Sequence, residues 1–122
     1  MSGLKSYREL EVWKKSIDLV EQIYLASSSF PADERFGLTS QIRRAAVSVP
    51  SNIAEGAARS GTGEFLQFLG IASGSLAELE TQLILANRLK MLSQQQTENL
   101  LDQAAAISRM LGGLKRSLQS NR

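Results

Sequence analysis

The sequence contains no cysteine and no histidine. Without cysteine there is no disulfide and no thiol nucleophile, and without histidine there is no serine–histidine catalytic pair. A zinc site with nitrogen or sulfur ligands is excluded too, so a metal ion could be held only by oxygen atoms, as Mg²⁺ and Ca²⁺ are. Because the usual acid–base groups are missing, the sequence predicts a protein that is not an enzyme and that carries no metal and no cofactor.

Proline and aromatic residues are scarce: the chain of 122 residues has two prolines, two tyrosines and one tryptophan. This composition favours helices over sheets, and a hydrophobic content of 43% is too high for a disordered chain. The length predicts a single domain over residues 1–122. No signal peptide is visible, and the longest apolar stretch without charge is 13 residues, 65–77. A membrane span needs roughly 20, so a cytoplasmic location is expected.

Four segments repeat apolar residues every three or four positions, which predicts four amphipathic helices. Capping boxes mark two of their starts, at Ser6 with Glu9 and at Ser93 with Gln96, and Thr62 or Gly63 is expected to cap the third helix. The predicted helices span about 7–28, 35–58, 64–89 and 94–119. Short connections between them indicate an all-α fold, an antiparallel up-down-up-down four-helix bundle.

Pro50 lies inside the second predicted helix. A proline there removes a backbone hydrogen bond and clashes with the preceding turn, so a kink is expected. Two short helices are the alternative. One kinked helix is favoured, because the apolar stripe continues in phase from Val49 to Ile53.

A polar stripe follows the second helix, with Arg44, Ser48, Asn52 and Glu55 at spacings of 4, 4 and 3. If the second helix folds back on the third, paired residue numbers sum to about 122, which places Arg44 near Glu78. We therefore predict a structural polar network of these five residues, with an Arg44–Glu78 ion pair. The alternative is a ligand or nucleic-acid site centred on the two adjacent arginines at 43 and 44.

The net charge of +2 is unevenly distributed, since residues 1–102 carry −2 and residues 103–122 carry +4. A basic segment of this kind is a candidate for phosphate binding, although in a monomer a solvated helix face is the favoured explanation. No helix interleaves aromatic and basic residues, so contacts with the nucleic-acid backbone are expected rather than base stacking. The candidate nucleic-acid-binding residues are Arg109, Lys115, Arg116 and Arg122, followed by Arg43, Arg59, Lys14 and Lys15.

The first and third helices carry more apolar residues than one small bundle can bury, which predicts a homo-oligomer. In a symmetric ring every copy would present the same basic segment, so assembly would multiply the phosphate contacts.

Several stretches of the sequence resemble a known family. They are Leu10 to Lys14, Phe30-Pro31, Leu38 to Ala45, Ser48 to Gly56, Phe68-Leu69 with Ala72, and Gly74 to Leu83. Together they resemble the four-helix-bundle proteins encoded in bacterial 23S rRNA intervening sequences, to which the accessory variability protein of diversity-generating retroelements is related. The resemblance covers about residues 7–118.

The resemblance implies an antiparallel four-helix bundle assembled as a homopentamer, with no known catalytic activity. In the retroelement relative it implies nucleic-acid binding by a basic surface and partnership with a reverse transcriptase. The present sequence departs from that relative because its first 102 residues are slightly acidic. The expected function is a non-enzymatic RNA- or DNA-binding accessory protein. The alternative is a protein-interaction scaffold that docks a protein partner without nucleic acid.

Overall fold

A computed structural model describes residues 6–120 and contains helices but no strand within that range. The all-helical fold expected from the sequence is confirmed. The four long helices are α1 (Glu11–Ser27), α2 (Leu38–Ala57), α3 (Thr62–Arg88) and α4 (Gln94–Ser120), and two 3-10 turns, Tyr7–Glu9 and Ala32–Glu34, precede α1 and α2.

The helices form a four-helix bundle in which each packs against two neighbours. α2 packs against α1 and α3, and α4 packs against the same two helices. Along the interface of α2 and α3, Ser48 contacts Ser75, and the backbone of Gly56 lies against Phe65 and Phe68. Residue numbers rise on one helix as they fall on the other, so α2 and α3 run in opposite directions.

The first two helices begin later than the sequence predicted. The Ser6 hydroxyl does act as a cap, accepting a hydrogen bond of 3.1 Å from the Arg8 amide, but it caps the short 3-10 turn and not α1. Leu10 is extended and separates the two, so α1 begins at Glu11. α2 begins at Leu38, whose amide donates to the Glu34 carboxylate at 2.9 Å. A short 3-10 turn thus takes up the residues before each of these two helices.

The other two starts agree more closely with the sequence pattern. Gly61 is the extended residue before α3, one position ahead of the predicted cap. At α4 the Gln96 amide donates to the Ser93 hydroxyl at 3.1 Å, and the Ser93 amide donates to the Gln96 side-chain oxygen at 3.0 Å. The predicted capping box at Ser93 is therefore confirmed.

α2 continues without interruption through Pro50, which is buried. The structure thus contains one helix here and not two short ones. The bend expected at Pro50 stays a prediction.

The hydrophobic core contains the apolar stripes of all four helices. On α3 the apolar residues that recur every three or four positions are buried, and five of them are at 0% exposure: Leu69, Ala72, Leu79, Leu83 and Ala86. These residues stabilise the bundle because each removes apolar surface from water, at roughly 25 cal/mol per Å². Among the described residues no helix is both long enough and apolar enough to cross a membrane.

Candidate nucleic-acid interface

A small polar cluster joins α2 to α3 at the middle of their interface. The hydroxyls of Ser48 and Ser75 lie 2.8 Å apart, and the Asn52 side-chain amide donates to the Ser48 carbonyl and hydroxyl at 2.8 and 2.9 Å. All three side chains are half-buried. Their polar atoms satisfy one another, which is the arrangement that a buried polar cluster needs to be stable.

The rest of the predicted polar network does not form, and the Arg44–Glu78 ion pair is wrong. Arg44 and Glu78 are both exposed, and no ion pair joins them among residues 6–120. Glu78 instead accepts a long hydrogen bond of 3.5 Å from Gln82, and Glu55 pairs with Arg59 at 3.1 Å. Water solvates exposed charges well, so an ion pair between two exposed side chains stabilises the protein little.

Arg43, predicted as a nucleic-acid contact, is instead bound to the end of α1. Its Nε donates to the Ser27 hydroxyl at 2.8 Å, and its Nη2 donates to the Tyr24 carbonyl at 3.4 Å. The guanidinium also lies 4.5 Å from the centre of the Tyr24 ring. These contacts use much of the donor capacity of the guanidinium, so Arg43 is a structural link between α1 and α2.

Three further basic candidates have partners within the chain. Lys115 donates to the Ser73 hydroxyl, 2.6 Å away, and ties α4 to α3. Arg59 lies within 4.0 Å of the carboxylates of Glu55 and Glu64 and stacks on the Phe68 ring. Lys14 pairs with its helical neighbour Glu11 at 3.4 Å. Their charges are partly neutralised, which weakens the case for phosphate contact at these positions.

The remaining candidates in residues 6–120 are Lys15, Arg109 and Arg116, which are exposed and have no hydrogen bond or ion pair there. Lys15 lines a shallow groove beside the carboxylates of Asp18 and Asp102, so its surroundings are not basic. Arg122 lies outside the described residues.

Arg109 and Arg116 are seven residues apart on α4, which places them two turns apart on one face. The guanidinium of Arg116 folds back along the helix towards Gly112, where an added Cβ would lie 3.3 Å from it. Gly112 thus leaves space for the guanidinium beside the helix backbone. These two arginines are the best candidate nucleic-acid interface of the described chain.

The residues that hold the candidate side chains were not predicted from the sequence. The hydroxyls of Ser73 and Ser75 bind Lys115 and Ser48. The antiparallel register of α2 and α3, which pairs 48 with about 74, was the signal that could have identified Ser75. No comparable signal pointed to Ser27 as the acceptor for Arg43.

The described part of the chain contains no cluster of side chains that could hold a metal ion, since within residues 6–120 no group of three or more Asp or Glu side chains is placed to do so. What the surface does offer is exposed guanidinium groups on one helix.

Gln82 of α3 is 6% exposed, and its Oε1 has no hydrogen-bond partner within residues 6–120. A buried acceptor without a donor costs about 1–3 kcal/mol. Replacing Gln82 with leucine is therefore expected to raise the free energy of unfolding by about 1 kcal/mol, measured by urea denaturation. Gln67→Leu, an exposed position on the same helix, is the matched control and should change stability by less than about 0.5 kcal/mol. A loss of stability in Gln82→Leu would contradict this prediction.

The fold and the surface together define a small four-helix-bundle protein with an exposed basic face on its last helix. Residues 8–113 match the family described as 23S rRNA-intervening sequence protein. Because the match spans most of the chain, the protein belongs to this family.

The bundle is also similar to a solved structure, that of a protein with unknown function from the S23 ribosomal protein family of Bacteroides thetaiotaomicron. The TM-score is 0.77 at 24% sequence identity, and the similarity covers 85% of the present chain and 97% of the other. At this identity the likeness shows the shared fold. No curated protein matches the sequence.

Proposed function

We propose that the protein is a non-enzymatic, oligomeric accessory protein of the cytoplasm that binds RNA or DNA through basic patches on its surface. The observation that carries the proposal is the pair of exposed arginines on α4, Arg109 and Arg116, which have no ion-pair partner among residues 6–120. Exposed guanidinium groups are well suited to phosphate oxygens, which they bind with two parallel hydrogen bonds.

Assembly makes this weak basic patch effective. Two arginines in one protomer offer few phosphate contacts, whereas a symmetric homo-oligomer presents the pair once per copy. A homopentamer is the assembly that the family resemblance implies, and we include it in the proposal. Light scattering at micromolar concentration tests it directly, because a species of 13.3 kDa would be a monomer and would contradict the assembly.

The test of nucleic-acid binding is a salt titration of affinity for a structured RNA. Phosphate contacts release counterions, so the logarithm of the affinity is expected to fall steeply with the logarithm of the salt concentration. In the double variant Arg109→Gln/Arg116→Gln the slope should become shallower by about 1 for each phosphate that is no longer bound, and the affinity should fall by at least about tenfold.

The matched control is Lys14→Gln, which also removes an exposed positive charge, but one paired with Glu11. It should leave the slope unchanged. Lys115→Gln is unsuitable as a binding variant, because it removes the link to Ser73 and perturbs packing. A flat or absent response to salt in the unaltered protein would refute nucleic-acid binding and favour the alternative, a scaffold that docks a protein partner.

A further inference from the structure

The outer face of α3 is apolar although it faces solvent. The stripe of Ile71, Gly74, Glu78 and Leu85, extended by Leu89 just after the helix, is called the α3 ridge, and Gln82 lies in the same stripe but is buried. Its three large apolar side chains are 46%, 45% and 54% exposed. A helix that is apolar on its outer face as well as its inner face is normally buried on both sides.

Gly74 gives the ridge a shallow point in its middle. A Cβ added at Gly74 would meet no atom within 4 Å, so nothing in residues 6–120 explains why a glycine is used there. A glycine inside a helix costs about 1 kcal/mol relative to alanine. Its usual compensation is the close approach of another backbone.

A groove runs between α1 and α2 on a different side of the bundle and is called the α1–α2 groove. It consists of two adjoining hollows that share Val47. One, of about 270 Å³, is lined mainly by apolar side chains including Trp13 and Pro50. The other, of about 510 Å³, is lined by Tyr24, Arg44 and others. No acidic residue lines either hollow.

The ridge and the groove are of comparable length. At 1.5 Å per residue, the ridge from Ile71 to Leu89 is about 27 Å long. The groove follows α2 from Ser40 to Ala54, about 21 Å.

They also match in shape and charge. The ridge exposes apolar side chains, and the hollow of the groove beside Trp13 and Pro50 is lined mainly by apolar side chains. The charged residue of the ridge is Glu78, whereas Arg44 is exposed at the groove without an ion-pair partner in residues 6–120. An exposed carboxylate on an apolar ridge disfavours a nucleic acid there and favours a partner with an unpaired cation.

We propose that the α3 ridge of one copy of this chain packs into the α1–α2 groove of the next copy, with Glu78 of the first beside Arg44 of the second. The two surfaces differ, so the contact is heterologous, and repeating it builds a ring where the rotation between copies closes. This inference rests on the oligomer of the proposed function and names the surfaces that build it. It also explains why Arg44 and Glu78 remain free of each other within one protomer.

Charge reversal tests the pairing. Glu78→Arg and Arg44→Glu each place like charges at the contact, so each variant alone is expected to dissociate to the 13.3 kDa monomer at concentrations where the unaltered protein is assembled. Mixing the two variants in equal amounts restores opposite charges wherever the ridge of one variant meets the groove of the other, and a ring of five copies keeps at least one contact between identical variants. The mixture is therefore expected to regain a heavier species by light scattering. A contact within one chain would not be rescued by mixing.

The control is Glu98→Arg, the same charge reversal at an exposed position on α4, and it should assemble normally. Leu85→Asp provides a second disruption that does not depend on charge pairing. Because Leu85 is already 45% exposed, the variant should stay folded by circular dichroism while its dissociation constant rises by at least about tenfold.

The outcomes separate the two proposals. A monomeric unaltered protein would overturn both the oligomer and this interface. An assembled unaltered protein whose Glu78→Arg, Arg44→Glu and Leu85→Asp variants keep their mass would overturn the interface alone.

Discussion

Replacing Gly56 with alanine is expected to lower the free energy of unfolding by about 2–3 kcal/mol, the largest effect of any conservative change considered for this protein. The added Cβ would lie 2.7 Å from the Cβ of Phe68, 3.1 Å from a ring carbon of Phe65 and 3.3 Å from the Phe65 carbonyl oxygen. Two of these three atoms cannot rotate away, so α2 and α3 must separate where they approach most closely. Better helix propensity recovers only about 1 kcal/mol.

Thermal unfolding followed by circular dichroism measures this effect, and the melting temperature should fall by roughly 10 °C. The matched control is Gly70→Ala on α3, where an added Cβ meets nothing within 4 Å. That variant should gain up to about 1 kcal/mol, because alanine favours the helix and restricts the unfolded chain. Equal effects at the two glycines would show that the close approach at Gly56 does not hold the bundle together.

Arg43→Ala is expected to cost about 2–3 kcal/mol, whereas Arg44→Ala should change stability by less than about 0.5 kcal/mol. Arg43 loses its hydrogen bond to Ser27 and its stacking on Tyr24. Its removal also leaves Ser27, which is 2% exposed, without a donor at its hydroxyl oxygen. Arg44 is exposed and has no such partners.

Urea denaturation at low protein concentration is the measurement, since association of subunits would otherwise add to the apparent stability. Arg43→Lys separates the two contributions. A lysine can still donate to Ser27 but has no planar group to stack on Tyr24, so this variant should recover only part of the loss. If Arg43→Ala lowers the free energy of unfolding less than Arg44→Ala does, Arg44 is the structural residue, as the sequence pattern predicted.

The sequence alone was sufficient for the fold. The apolar repeat on α3 predicted its buried side chains, including Leu69 and Leu83, and the capping box at Ser93 predicted the start of α4. These features are local, because a period of 3.6 residues and a cap within one turn depend only on residues close together in the sequence. The starts of α1 and α2 were less predictable, since a 3-10 turn precedes each of them.

The roles of the basic residues were decided by the tertiary structure. Adjacent arginines on a helix point in directions about 100° apart, and only the packing of α1 against α2 decides which one meets Tyr24 and Ser27. In the same way, the position of α3 decides that Lys115 binds Ser73 while Arg116, the next residue, stays exposed. The sequence identifies the basic side chains and their spacing. Whether a basic side chain forms a hydrogen bond within the bundle or stays exposed depends on which helix packs beside it.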